Sequence, residues 1–328
     1  MKALVILNPH AHSGETAEQI AAAHKEISER LQQSLNLESI DWVDTQHPGH
    51  AKSLANDATS DGYGYIFAGG GDGTINEVLN GIMSDAPNNP QRPIFGVLPF
   101  GTSNDFFAGI KAAEAAQKPS DANALTMPLD VGQVVFDDLK RYFCLTTGLG
   151  LLSWANEQYL DASRRFGRRF AHIPAAISTI IGYRFLPNAR ISENGKRFRS
   201  RRILAIVVNN SPVIAGGTPL TPQAKINDGF LDVCIVKPVS FLRLLWLAFQ
   251  ISRKAHTHSK SVILERITEI TIITKQALPV HIDGELVPEL DSKARRTVVT
   301  VLPAALQVVK PSLCEFDFTT LTVQENSH

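Results

Sequence analysis

Cysteine is scarce in this sequence. Cys144, Cys234 and Cys314 are far apart and share no paired spacing, which excludes a disulfide scaffold or zinc-thiolate site and fits reduced core thiols in a cytoplasmic protein. A surplus of one charge sign is also lacking. Lysines plus arginines number 32, as do aspartates plus glutamates, so whole-molecule charge argues for neither nucleic-acid binding nor wholesale attraction to an anionic membrane. Any such role must come from local patches. Long hydrophobic runs are missing: the most apolar later stretch, Val239 to Ile251, is shorter than the roughly 20 residues a bilayer span needs and is interrupted by Arg243. The opening run Ala3 to Leu7 is too short for a signal-peptide core and no cleavage pattern follows it, so it reads as a first strand. There is no internal repeat and no low-complexity tract.

What is present is enough apolar residue for real cores. With 328 residues, 44% of them hydrophobic, the chain can fill two ordinary domains. The first third alternates short apolar runs with helical patterns: strands Ala3 to Leu7, Ile40 to Val43, Tyr65 to Ala68 and Ile94 to Leu98, and helices from about Glu15, His50 and Thr74. That order predicts a parallel sheet with helices on both faces. Ligands of such sheets gather at the carboxyl ends of the strands. The segment Asn8 to Gly14, Thr45, the loop Gly69 to Thr74 and the segment Pro99 to Asp105 should therefore share one rim.

From about Gly132 the pattern turns strand-rich, with runs Arg202 to Val208, Leu231 to Val236, Ile267 to Thr274 and Thr297 to Leu302, and Asn194-Gly195 suits a tight hairpin turn. A mostly β second domain is expected, decorated by a helical region from Leu151 to Gly182 and a shorter apolar helix from Phe241 to Ile251. Residues after Val323 are polar and should fray.

Between a strand and a helix opening Thr74-Ile75-Asn76-Glu77, the loop Gly69-Gly70-Gly71-Asp72-Gly73 offers unencumbered backbone N–H groups and a helix N-terminus, a natural phosphate cradle. Thr74 and Glu77 have capping-box spacing. The dinucleotide fingerprint needs a third glycine where Thr74 stands, which disfavours ordinary NAD(P) binding. Asp72 would repel a phosphate unless a divalent cation or a proton intervenes, which points to a metal-nucleotide complex; an ordinary turn aspartate is the plainer reading. The run Pro99-Phe100-Gly101-Thr102-Ser103-Asn104-Asp105 offers small donors for phosphate or sugar oxygens, or a turn into a helix capped by Ser103 or Asn104. Asp283-Gly284-Glu285 follows the apolar strand Leu278 to Ile282 and holds two acids at a strand end, either a solvated surface turn or a general base with a magnesium-holding partner. Asp228-Gly229 opens the strand Phe230 to Val236 and reads locally as a turn. The pairs His10 with His12 and His256 with His258 offer too few ligands for a metal site and read as exposed loop histidines. No serine, histidine and aspartate order points to a hydrolase.

The Gly-Asp-Gly-Thr loop together with the later Pro-x-Gly-Thr-x-Asn-Asp-Phe run ending at Phe106 resembles the catalytic domain of diacylglycerol kinases. Asn8-Pro9 with Ser13-Gly14, the run Ala224 to Val233 and Asp283-Gly284-Glu285 extend the match to the bacterial soluble diacylglycerol and lipid kinase family over about residues 1 to 310. That resemblance implies an α/β amino-terminal domain like those of NAD kinase and phosphofructokinase, a β-sandwich second domain, and ATP bound in the cleft between them. The expected domains are residues 1–132, with about 305–322 returning to them, and 133–304. It further implies that Asn8, Thr45, Gly70, Gly71, Asp72, Gly73, Thr74, Ile75, Asn76 and Thr102 bind ATP. Glu285 is implied as proton acceptor with Asp283 as its close partner and Asp72 beside the phosphates. A structural Mg2+ is implied at Asp228 and the main-chain carbonyls of Lys225 and Phe230, hard oxygen ligands of the kind such ions prefer.

The expected reaction moves the γ-phosphoryl of ATP to a primary lipid hydroxyl, most simply that of diacylglycerol, giving a phosphatidate. Sphingosine or another lipid alcohol, NAD as acceptor, and a catalytically silent nucleotide- or lipid-binding regulator are the alternatives. The lipid substrate lies at a membrane surface, so a cytoplasmic protein with peripheral contact at the inner face is expected, and a homodimer is left open. Arg164-Arg165 with Arg168-Arg169, and Lys196-Arg197 with Arg199, Arg201 and Arg202, interleave with Phe166, Phe170 and Phe198. They form either solvated faces or docking patches for anionic bilayers.

Overall fold

The computed structural model describes residues 1–11, 17–84, 92–118, 121, 123–151, 153–154, 158, 162, 165, 188–214, 216–287 and 293–316. The chain forms two compact units, one of Met1–Leu129 with the chain from Ala304 onward, the other of Asp130–Pro303. It passes between them within two strands, β5 (Thr126–Phe136) and β15 (Lys293–Val309).

In the first unit β1 (Lys2–Leu7), β2 (Ser39–Asp44), β3 (Tyr65–Gly70) and β4 (Ile94–Pro99) alternate with α1 (Ala17–Leu35), α2 (His50–Ser60), α3 (Asp72–Ile82) and α4 (Asp105–Ala115). The strands pair in parallel in the order β2-β1-β3-β4, and the end of β15 adds a further parallel pairing of Val308 with Phe95. All six residues of β3 are buried, as a strand covered on both faces requires. On α3, Ile75, Val78, Leu79 and Ile82 recur at helical spacing and are fully buried; each contributes about 1.5–3 kcal/mol of burial. Gly81 lets α2 approach closely, because a Cβ there would lie 2.4 Å from the Lys52 carbonyl oxygen and 2.6 Å from the Ala55 Cβ. The carboxy-terminal segment is tied to this unit: Lys310 donates from its amide to the Leu125 carbonyl and from Nζ to the Asp121 carbonyl, and Arg30 donates to the Glu315 carbonyl.

The second unit packs two antiparallel layers. One runs β12 (Val262–Ile267), β11 (Leu231–Val236), β10 (Ala205–Asn209), β7 (Thr146–Gly150) and the end of β13 (Glu269–Ile282). The start of β13 pairs instead with β8 (Asn188–Glu193) and β15, and its register shifts between Ile273 and Leu278. One strand therefore serves both layers. Their inner faces meet in a core that includes Phe136, Phe143, Ile191, Ile206, Val208, Val233, Ile272 and Val280. On β10 the alternate residues Ala205 and Val207 face outward into a second cluster, where Leu247 of α5 (Phe241–Ser252) covers them with partly buried Leu244 and Ile251. This explains why every residue of β10 is buried.

Several sequence expectations change. The run Arg202 to Val208 is not one strand: β9 (Arg199–Arg202) pairs with β8 and β10 lies in the other layer, the chain crossing between layers through buried Ile203 and Leu204. The expected strands Ile267 to Thr274 and Leu278 to Ile282 mostly merge into the bent β13, while Ile267 closes β12. Asn194 and Gly195 form the expected turn at positive φ, closed by the Lys196 amide on the Glu193 carbonyl. The helical region Leu151 to Gly182, its basic stretch, His12 and Ser13-Gly14 lie largely or wholly outside the described residues. Among the described residues no helix is long and apolar enough to cross a membrane.

Candidate active site: a phosphate cradle and an acidic strand end

The first unit brings its strand-end loops together. Asn8 donates its amide to the Gly69 carbonyl at 2.8 Å and its Nδ2 to Thr74 Oγ1 at 3.1 Å, while the Thr45 amide donates to the Leu7 carbonyl at 2.8 Å. The glycines of the cradle serve closeness rather than unusual dihedrals, since none of Gly69, Gly70 and Gly71 takes a positive φ. A Cβ on Gly101 would stand 2.3 Å from the Gly71 Cα, and one on Gly70 would stand 2.6 Å from Thr74 Oγ1. The two glycine loops thus touch backbone to backbone.

Helix α3 starts at Asp72, two residues before the expected Thr74, with Gly71 as a cap that supplies no side chain. Its first amides have no intrahelical acceptor and are suited to an anion. The capping box does not form. Glu77 instead accepts from the amides of Gly49 (2.7 Å) and Ala51 (3.1 Å) at the start of α2, because a carboxylate within reach of a neighbouring helix N-terminus is stabilised there. Ile75 is fully buried, so only its backbone can meet a ligand. Asn76 Oδ1 accepts from Asn80 Nδ2, and Thr102 is exposed on the second loop.

Asp72 joins the loops. Its Oδ2 accepts from the Asp105 amide and its Oδ1 from the Phe106 amide, each at 3.1 Å, so it caps α4 from the neighbouring loop. Asn104, expected as a cap, sits at φ 51 with no side-chain capping bond and closes its own turn, Oδ1 accepting from Gly101 N and Nδ2 donating to the Pro99 and Gly101 carbonyls. Burial pushes the Asp72 carboxyl above the usual carboxylate range, the two amides pull it back, and Asp105 adds to the rise.

In the second unit, Asp283 and Gly284 take φ 47 and φ 86 as the two-residue turn of a hairpin in which Ile282 pairs with Glu285 of β14 (Glu285–Leu286). Left-handed dihedrals at both positions are what Asp-Gly tolerates. The two acids differ sharply. Asp283 is buried, with Oδ1 accepting from the Leu145 (3.0 Å) and Thr146 (2.8 Å) amides and Oδ2 from the Cys144 amide (3.2 Å). Glu285 is exposed. One acid is a fixed brace and the other faces solvent.

Sequence reasoning missed three features of the second unit: Asp130, a polar row of Thr146, Asn209 and Asp232, and His281. Asp130 Oδ2 accepts from the Gly229 amide at 2.6 Å, bracing the Asp228 turn; Asp228 itself pairs with Arg266 through Oδ2 and accepts from the Phe230 amide through Oδ1. Thr146, Asn209 and Asp232 align across β7, β10 and β11. All three are buried, and among the described residues Thr146 Oγ1, both Asn209 amide atoms and both Asp232 oxygens have no hydrogen-bond partner. Burial pushes Asp232 up to about 6, with Arg266 lowering it and Asp228 raising it. The available signal was an aspartate inside an otherwise apolar strand.

His281, the third, is buried beside Ser153, with Nδ1 2.7 Å from Oγ, and burial lowers it to about 4. As pH falls, the unfolded chain takes up this proton near 6.5 while the folded protein resists until about 4. Its share of stability is full above 6.5 and lost as pH drops through that window. His281→Gln should remove roughly 2 kcal/mol of stability loss between pH 7 and pH 5. Denaturant titration of variant and parent at both pH values checks this, the opposite slope of Asp232 cancelling in the comparison; equal pH dependence in the two proteins would refute it. His256, expected on the surface, is buried, with Nε2 2.8 Å from the Leu220 carbonyl oxygen. Among the described residues no cluster of histidine, cysteine and acid could hold a metal, and the three cysteines are buried free thiols.

Comparison with known proteins follows the same division. The diacylglycerol kinase catalytic domain model matches residues 2–134, and the YegS C-terminal NAD kinase beta sandwich-like domain model matches residues 149–310. A diacylglycerol kinase from Staphylococcus aureus is 30% identical over 249 residues, 74% of each chain. One from Bacillus subtilis is 29% identical over 245 residues, covering 72% of this chain and 76% of the relative. The crystal structure of a diacylglycerol kinase from Bacillus anthracis superposes with a TM-score of 0.64 at 20% identity, covering 94% of this chain and 96% of that one, and shows the same fold. Cradle, second-unit sandwich and sequence agree, and the chain belongs to the diacylglycerol kinase family of phosphotransferases.

Proposed function

We propose that this protein is an ATP-dependent lipid kinase that moves the γ-phosphoryl of ATP to the primary hydroxyl of diacylglycerol, giving a phosphatidate and ADP. The observation that carries the reading is the pair of glycine loops locked by Asp72, which leaves the first amides of α3 without helical acceptors. Those amides, with Asn8, Thr45 and Thr102 around them, bind and orient the nucleotide phosphates. Residues 1–132 and the returning 305–322 do the nucleotide work, and residues 133–304 the acceptor chemistry. In the transfer, the lipid oxygen forms its bond to the γ-phosphorus as the bond to the β-phosphate oxygen breaks. Glu285 takes the hydroxyl proton, and Asp283 holds the turn that presents it.

Mg2+ bound with ATP neutralises phosphate oxygens. A second, structural Mg2+ would be held by Asp228 with the Lys225 and Phe230 carbonyls, beside the buried Asp232, whose carboxylate oxygens have no hydrogen-bond partner among the described residues and whose nearby cation, Arg266, is already paired with Asp228. EDTA should then lower the melting temperature of the nucleotide-free protein; no change removes the ion from this position. The basic β8–β9 hairpin, with Arg197, Arg199 and Arg202 exposed, supplies a contact for anionic lipid.

The deciding experiment incubates the protein with γ-labelled ATP and Mg2+ against diacylglycerol, sphingosine, other lipid alcohols and NAD. Label in phosphatidate is the expected result. Label in another lipid reassigns the acceptor, label in NADP overturns the lipid reading, and no transfer to any acceptor leaves a binding protein.

A further inference from the structure

We propose that α5 is a preformed docking helix that lies in the surface of an anionic lipid bilayer. One face of this helix is already used, with Leu247, Leu244 and Ile251 packed over the outer side of β10 and β11. The opposite face carries a second apolar stripe. Leu242 is 77% exposed, Leu245 54%, Trp246 58% and Phe249 46%, and their spacing puts them on adjacent turns of one face. Large apolar side chains at such exposure are costly in water unless a partner covers them. The helix is ordered without that partner, its N-terminus capped by Ser240 Oγ accepting from the Arg243 amide.

Charge and length select the partner. From Val233 to Leu264 there is no acidic residue, whereas Lys237, Arg243, Arg253, Lys254 and Lys260 are all cationic, in a chain whose formal net charge is zero. Arg253 folds back over the Phe249 ring at 4.6 Å, and Trp246 lies against Phe249 at 5.3 Å. A tryptophan-bearing apolar face bordered by cations is the composition that seats a helix among lipid headgroups, with the basic chains reaching the phosphates. Twelve residues span about 18 Å, too little to cross a bilayer, so the helix lies flat. A second copy of this chain is a poor partner, because a two-fold interface would bring these cations against their own images. The inference adds a membrane contact to the lipid kinase reading and rests on that reading only for why a bilayer should be met.

The test uses the full chain with vesicles of phosphatidylcholine alone or mixed with phosphatidylglycerol. Wild type should sediment with the mixed vesicles, and raised salt should weaken the binding. The variant L245S/W246S/F249S should lose at least about tenfold in vesicle affinity while keeping its circular dichroism and its activity on dispersed short-chain diacylglycerol. The variant R243A/R253A/K254A should lose the preference for mixed vesicles. Unchanged vesicle binding in the first variant overturns the proposal, and if its oligomeric size falls at the same time the stripe joins copies of the chain. Stripe-dependent vesicle binding by a protein that phosphorylates no lipid supports docking and sinks the kinase reading instead.

Discussion

Glu285→Gln is expected to lower turnover by about a hundredfold or more while leaving the melting temperature nearly unchanged. General-base catalysis is worth about 10²–10⁴, and Gln keeps the shape of the side chain while losing its basicity. Because Glu285 is exposed on a two-residue strand, little folding energy depends on it. Asp283→Ala should behave in the opposite proportion. It strands the amides of Cys144, Leu145 and Thr146, all bonded to the Asp283 carboxylate, and each buried unsatisfied group costs about 1–3 kcal/mol. Even partial relaxation leaves a loss of several kcal/mol, a large share of the roughly 5–15 kcal/mol that holds a domain together. Activity would fall as well, but with the melting temperature. Calorimetry alongside steady-state kinetics separates the two roles. Near-normal turnover in the glutamine variant removes Glu285 from the chemistry, and an unchanged melting temperature in the alanine variant removes the brace.

The contrast between the buried, amide-bonded Asp283 and the exposed Glu285 marks where sequence reading reaches and where it stops. Parallel β1 to β4 were legible because short apolar runs alternating with helical patterns admit few other architectures. Asp-Gly at residues 283–284 announced its turn for the same local reason. How Asp283 is held was illegible, because the three amides that bind it, those of Cys144, Leu145 and Thr146, lie at or just before the start of β7, far off in sequence. Glu77 misled for a related reason: its capping-box spacing is a local pattern, and the nearby N-terminus of α2 outcompeted it. The polar row Thr146, Asn209 and Asp232 exists only through the registers of three strands. On α5 the sequence showed an apolar helix without showing that only one of its faces is covered.

Asp72→Ala should likewise cut turnover by about a hundredfold or more, through geometry as much as charge. The carboxylate is the acceptor for two α4 amides and so fixes the Pro99 to Asp105 loop against the Gly69 to Thr74 loop, where a Gly101 Cβ would already collide with Gly71. Removing a cap costs about 1–2 kcal/mol of stability, a modest loss that leaves the domain folded. The functional loss is larger, because a displacement of about 1 Å in groups that position reacting phosphates is worth about a hundredfold. Asp72→Asn separates position from charge. Its remaining carbonyl oxygen can accept from one of the two amides, so if Asp72 acts by holding the loops, the asparagine variant should fall between wild type and alanine in both nucleotide affinity and turnover. Equal defects in the two variants, with nucleotide affinity preserved, would instead place the charge of Asp72 directly at the phosphates.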